Sequence, residues 1–230
     1  MRKSTTTLWR NFKAENVPFR VSRDILKGKV LHAALPITIY ISILALQIAT
    51  IRYELDDHHT YDFVEGAIPH PIAPGLSDLV PLGTETYAYA DATSATSCAK
   101  AFTDVEAYVT ECGPFDGVIK DEGSVFKCAI FFSGGIPGDP QELLTQQKIR
   151  LLNSVTDREV IKIPTAHIWG SNDTLYPEFE VVLRSLCKKD LREEYVHEGV
   201  HEIPRPGDKV AVANAVRIIR RTIDRALTLQ

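Results

Sequence analysis

Along most of this chain, short apolar runs ending in glycine or a polar turn alternate with stretches of helical spacing. "TYDFVEG" (Thr60–Gly66) reads as a strand closed by its glycine. The three prolines of "AIPHPIAPG" exclude a helix or a central strand, so a loop follows. Ala95, Ala99, Phe102, Val105 and Val109 recur at helical spacing and predict a helix over Ala95–Val109. "FDGVI" and "FKCAIFFSG" are apolar runs suited to a sheet covered on both faces. "DPQELLTQQKIRLL" reads as a helix, with Asp139 as its cap and Pro140 in its first turn. "IPTAHIWGSND" (Ile163–Asp173) predicts a strand running into a polar turn. "YPEFEVVLRSLCKK" follows as a helix with lysines at its carboxyl end, and "LREEYVHEG" as a last strand. Beyond Asp208, Val210, Ala213, Val216, Ile219, Ile223 and Leu227 mark a closing amphipathic helix with an arginine-rich outer face. Strands alternating with helices predict the α/β class with a mostly parallel sheet.

The first fifty residues follow another pattern. "ALPITIYISILALQIATI" (Ala34–Ile51) is eighteen residues without a charge, just short of the about 20 that a spanning helix needs. Its β-branched content and Pro36 favour a buried helix or strand, with membrane attachment as the alternative. Residues 1–30 hold eight Lys/Arg against two acidic residues, a net +6. The remainder holds 18 against 28, a net −10. A basic, Ser/Thr-bearing start reads first as a solvated arm and second as an organellar transit segment. The chain therefore divides into an unassigned segment, residues 1–51, and an α/β domain, residues 52–230.

Composition adds bounds. Hydrophobic content of 44% and charged content of 24% are those of a soluble globular domain that needs no disulfide or metal to hold its core. A net charge of −4 gives no nucleic-acid signal. The four cysteines (Cys98, Cys112, Cys128, Cys187) lie far apart without a C-x-x-C pair, which argues against a zinc site and a disulfide framework. A reducing, cytoplasmic setting is expected, with association through residues 1–51 as the alternative.

In open α/β sheets chemistry gathers in loops at the carboxyl ends of strands. Asp173 follows one predicted strand and His201 the last one. An acid followed at a later strand by a histidine is the order Ser…Asp…His of the α/β-hydrolases. There the imidazole takes a proton from a serine, and the carboxylate fixes its tautomer. On spacing alone an Asx-turn and a chance pairing among seven histidines explain these residues as well.

The wording around them narrows the choice. "DFVEGAIPHPIAPG", "YAYAD", "GPFDGVI", "AIFFSGGIP", "IPTAHIWGSND" and "VHEGVHEIPR" together resemble the fungal serine hydrolase family, from about Arg52 to the carboxyl terminus. That family includes esterases and thioesterases that accompany polyketide synthases, the lovastatin-pathway type among them. The resemblance implies an α/β-hydrolase fold without metal or cofactor, Asp173 as triad acid and His201 as triad base. His197 matches a frequent family position and is taken as structural. The implied function is hydrolysis of an acyl ester or thioester in fungal secondary metabolism. The implied partner is a small-molecule acyl substrate or an acyl chain on a polyketide synthase.

One family feature is missing. After "GPFDGVI" relatives continue with a G-F-S-Q-G nucleophile elbow and a helix, whereas here six residues, Lys120–Val125, lead straight to "FKCAIFFSG". A parallel pair of strands needs a crossover of roughly ten to twelve residues. Six extended residues reach about 20 Å, too little to return the chain and also build a helix. The expected sheet is therefore incomplete, without the elbow and the helix after it. Ser124 is the only hydroxyl in the connection and the candidate nucleophile, though it lacks the G-x-S-x-G frame and follows Asp121 and Glu122. Ser133 matches a family serine that is not the nucleophile. The L-H-G oxyanion loop of relatives also has no counterpart; "VLHAALP" carries Ala33 in place of its glycine. Two functions follow as expectations: a serine esterase or thioesterase, and an inactive, shortened homologue that binds a ligand or partner.

Overall fold

The computed structural model describes residues 20–24, 29–32, 47–55, 59–72, 83–112 and 126–229. Two three-stranded sheets carry the architecture. In the first, β3 (Thr60–Glu65) is central, with β1 (Arg20–Asp24) antiparallel on one side and β2 (Lys29–His32) parallel on the other. In the second, β6 (Ala129–Phe132), β7 (Thr165–Gly170) and β8 (Arg192–His197) are all parallel. A two-residue ladder joins β4 (Ile68–Pro69) to β5 (Tyr87–Ala88). The described part of the proline-rich stretch, residues 67–72, is loop apart from this brief pairing, in which Pro69 is exposed.

Five helices complete the described chain: α1 (Ala49–Leu55), α2 (Ala95–Cys112), α3 (Pro140–Gln146), α4 (Phe179–Leu186) and α5 (Lys209–Thr228). The central strand β7 explains how the second sheet is covered. Successive side chains of a strand point to opposite faces. Ala166 and Ile168 join a core with Ile51 and Leu55 of α1 and Val212, Ala215, Val216, Ile218 and Ile219 of α5. Thr165 and His167 are equally buried; His167 faces Glu180 of α4. A strand covered on both faces is what an α/β sheet requires. A second core packs Val64 of β3 against Ala101, Tyr108, Val109 and Cys112 of α2.

Two predicted helices have other boundaries. The run from Asp139 is helical only to Gln146, where Gln147 turns left-handed (φ 53°) and its N–H closes on Leu143 O. The chain then returns extended, pairing Leu151 with Gly138. Arg150 drives this reversal, since its guanidinium reaches Asp139, Glu142 and Asp157 together. Asp139 caps α3 as expected, accepting from the N–H groups of Gln141 and Glu142. α4 stops at Leu186, so Lys188 and Lys189 lie beyond it and Arg184 is the cation of its last turn.

The buried stripes of α2 and α5 follow the expected ones in part, with Ala99, Val109, Val216 and Ile219 buried as their spacing predicts. Phe102, Val210 and Leu227 are exposed, whereas Ala101, Ala211, Ala215, Thr222 and Ala226 are buried. Ala34–Ile51 is described only from residue 47, where Ile48 and Ile51 are buried. The predicted strand "FDGVI" lies outside the described residues. Among the described residues no helix is long and apolar enough to cross a membrane.

Candidate active site

The loops after β7 and β8 are stitched together by backbone. Ser171 N–H donates to His197 O at 2.8 Å and Asn172 N–H to Gly199 O at 3.1 Å. The Asn172 side-chain amide adds a bond to Glu198 O at 2.6 Å. This approach depends on Gly170. A Cβ there would overlap the carbonyl oxygens of both Gly199 and Val200.

The stitching brings Asp173 to His201. His201 Nδ1 lies 2.7 Å from Asp173 Oδ2, with both side chains mostly buried. A carboxylate only accepts, so Nδ1 carries a proton, and in the neutral ring Nε2 is the lone-pair nitrogen. That is the tautomer a general base needs. The second oxygen, Asp173 Oδ1, accepts from Leu175 N–H at 3.0 Å and Tyr176 N–H at 3.1 Å. Burial pushes the Asp173 carboxyl up, but the His201 bond and the two backbone N–H groups outweigh it and hold it below the ordinary value. The acid is therefore ionised and oriented. Its Asx-turn, the bland reading of the sequence, is also present, and the turn is what aims the carboxylate.

Two other residues singled out in the sequence have other hydrogen-bond surroundings than this pair. His197 is buried; its Nδ1 accepts from Gly199 N–H at 3.1 Å, and Nε2 has no partner among the described residues. Burial depresses its pKa. It shapes the turn leading to His201, as a structural residue would. Ser133 ends β6 in the left-handed region (φ 47°), its N–H on Ile168 O at 2.8 Å. Its hydroxyl is sealed from solvent and has no partner among the described residues, so it is not an exposed nucleophile. Ser124 lies outside the described residues.

A buried polar ladder that the sequence did not reveal runs from β7 through α4 to the turn after β6. Thr165 Oγ1 is 3.0 Å from His167 Nε2, and His167 Nδ1 is 2.5 Å from Glu180 Oε1. Glu180 Oε2 accepts from Gly134 N–H at 3.0 Å. This ladder ties the ends of β6 and β7 to α4. The i, i+2 spacing of Thr165 and His167 was a signal for a shared face; nothing marked Glu180 as their partner. Among the described residues no group of His, Cys, Asp or Glu is arranged to hold a metal ion.

A carboxylate bonded to an imidazole, both in loops at the carboxyl edge of a parallel sheet, is the arrangement expected of the acid and base of an α/β-hydrolase. Comparison with known proteins agrees. The family model "Serine hydrolase (FSH1)" matches residues 120–212, a span that includes Asp173 and His201. The chain is 30% identical over 206 residues to Esterase FPY3 of Fusarium mangiferae, covering 80% of this chain and 92% of that protein. It is 25% identical over 167 residues to Hydrolase phiM of Fungal sp. (strain ATCC 74256), covering 63% of this chain and 71% of that protein. The chain belongs to the serine hydrolase (FSH1) family, and its class of function is that of a serine hydrolase of the esterase type.

Proposed function

We propose that this protein hydrolyses an acyl ester or thioester of a secondary metabolite, either free or carried on a polyketide synthase, in the cytoplasm of a fungal cell. The observation that carries the proposal is the 2.7 Å contact between His201 Nδ1 and Asp173 Oδ2, which leaves Nε2 free to accept a proton. In this reading Ser124 attacks the acyl carbon while Nε2 takes its proton. The imidazolium then protonates the leaving alcohol or thiol, and water repeats the sequence on the acyl-enzyme. No metal or organic cofactor enters the scheme.

A second reading has its own support. Only six residues join "GVI" to "FKCAIFFSG", without a G-x-S-x-G. A homologue that keeps the acyl site but does not turn over fits that shortening. Paired assays separate the readings. The purified chain is offered p-nitrophenyl acyl esters and the matching acyl N-acetylcysteamine thioesters. Turnover that disappears in His201→Ala supports the hydrolase. Saturable binding of the same compounds without release of product supports the inactive homologue. A transcript with additional codons between 119 and 126 encoding G-x-S-x-G would move the nucleophile from Ser124 to that serine.

A further inference from the structure

Tyr176 touches both members of the Asp173–His201 pair through different parts of itself. Its backbone N–H donates to Asp173 Oδ1 at 3.1 Å. Its ring meets the His201 imidazole edge-on, with centroids 5.0 Å apart and planes at 63°. Phe179 stacks on the tyrosine ring at 4.7 Å and 25°, so the ring is itself held in place. The turn that satisfies the second oxygen of the acid therefore also aims an aromatic ring at the base.

A single hydrogen bond to Nδ1 still leaves the imidazole some libration about its χ1 and χ2 torsions. Swinging moves Nε2, the atom that must meet the nucleophile. Proton transfer needs a heavy-atom separation of about 2.6–3.2 Å, so a modest swing breaks it. An aromatic edge against the imidazole removes this freedom.

We infer that Tyr176 is a positioning residue that sets the plane of the His201 ring and thereby the direction of Nε2. The inference rests on the reading of the pair as the acid and base of acyl transfer. Its physical content, a clamped imidazole, is measurable without turnover. The hydroxyl takes no part, so Tyr176→Phe is expected to behave as the unaltered protein, while Tyr176→Val loses the clamp.

The test is NMR on the full chain carrying isotope-labelled histidine. In the unaltered protein, cross-relaxation is expected between the Tyr176 ring and the carbon-bound ring protons of His201, together with a low-field Nδ1–H resonance. Tyr176→Phe keeps both. In Tyr176→Val the Nδ1–H signal broadens or vanishes, with the far-ultraviolet circular dichroism unchanged. Fluorophosphonate labelling, run beside it, is expected to slow by a factor of about 2–10 in Tyr176→Val and not in Tyr176→Phe. Absence of cross-relaxation in the unaltered protein overturns the inference whatever the variants do. So does an Nδ1–H resonance that is identical in folded Tyr176→Val. An unaltered protein that shows the NMR signature yet resists labelling overturns the hydrolase reading alone and leaves the clamp standing.

Discussion

Gly170 lies against the carbonyl oxygen of Val200 so closely that no side chain fits between them. This contact lets the loop after β8 fold over the end of β7 and bring His201 within reach of Asp173. Gly170→Ala should therefore displace backbone rather than a side chain, since both obstructing atoms are main-chain oxygens. Overpacking of this kind costs about 1–3 kcal/mol. The expected outcome is a lowered Tm together with a loss of turnover larger than the stability loss explains. A variant that keeps both would show that the loops do not need this approach.

Asp173→Asn keeps the shape of the acid and reverses its role. The amide can donate to Nδ1, which favours the tautomer with the proton on Nε2, where it blocks the base. A fall in kcat of roughly ten-thousandfold is the precedent for this substitution in a serine triad. The same variant should leave KM for short acyl esters nearly unchanged. A loss of only a fewfold would mean that Asp173 does not orient His201 during turnover.

Arg150 and Asp157 give the loop before β7 a dependence on acid. The Arg150 hydrogen bond, reinforced by the Asn153 N–H and the Thr156 hydroxyl, lowers the Asp157 carboxyl to about 2. A depressed carboxylate contributes stability above its unfolded value, near 4, and loses it as pH falls toward the folded value. Thermal unfolding should therefore show a falling Tm between about pH 4 and 2. In Asp157→Asn, which has no proton to bind there, that slope should be shallower. Equal slopes would show that the Arg150 contacts do not survive in solution.

His197 predicts a second pH effect, nearer neutrality. Burial holds its pKa below the ordinary value, so the folded chain resists a proton that the unfolded chain binds. Stability from this group is complete above about pH 6.5 and declines below it. His197→Asn, which keeps an acceptor for the Gly199 N–H, should flatten the Tm profile just below that pH. Should the variant and the unaltered protein decline in parallel, the histidine is not the group responsible.

Strand and helix order was readable because glycine, proline and β-branched residues act locally. Thr60–Gly66, Ile163–Asp173 and the helix after Asp208 all form where their sequence places them. Helix faces were harder to read. In α5, Val216 and Ile219 are buried as their spacing predicts, while Val210 and Leu227 are exposed and Ala211, Ala215 and Ala226 are buried beside them. The end of α3 was also hidden: Arg150 gathers three carboxylates from positions that no local rule links. The contact between Asp173 and His201 was expected from family wording and strand-end position. Tyr176 and Glu180 were not, since a ring contact and a buried carboxylate acquire meaning only once the loops have met.

The central claim is that the Asp173–His201 pair activates a serine in this chain. Its most direct test is incubation of folded protein with a fluorophosphonate, followed by intact mass measurement and peptide mapping. One covalent adduct is expected, on Ser124, absent in His201→Ala and in Ser124→Ala. Folded protein that gains no mass under these conditions would contradict it.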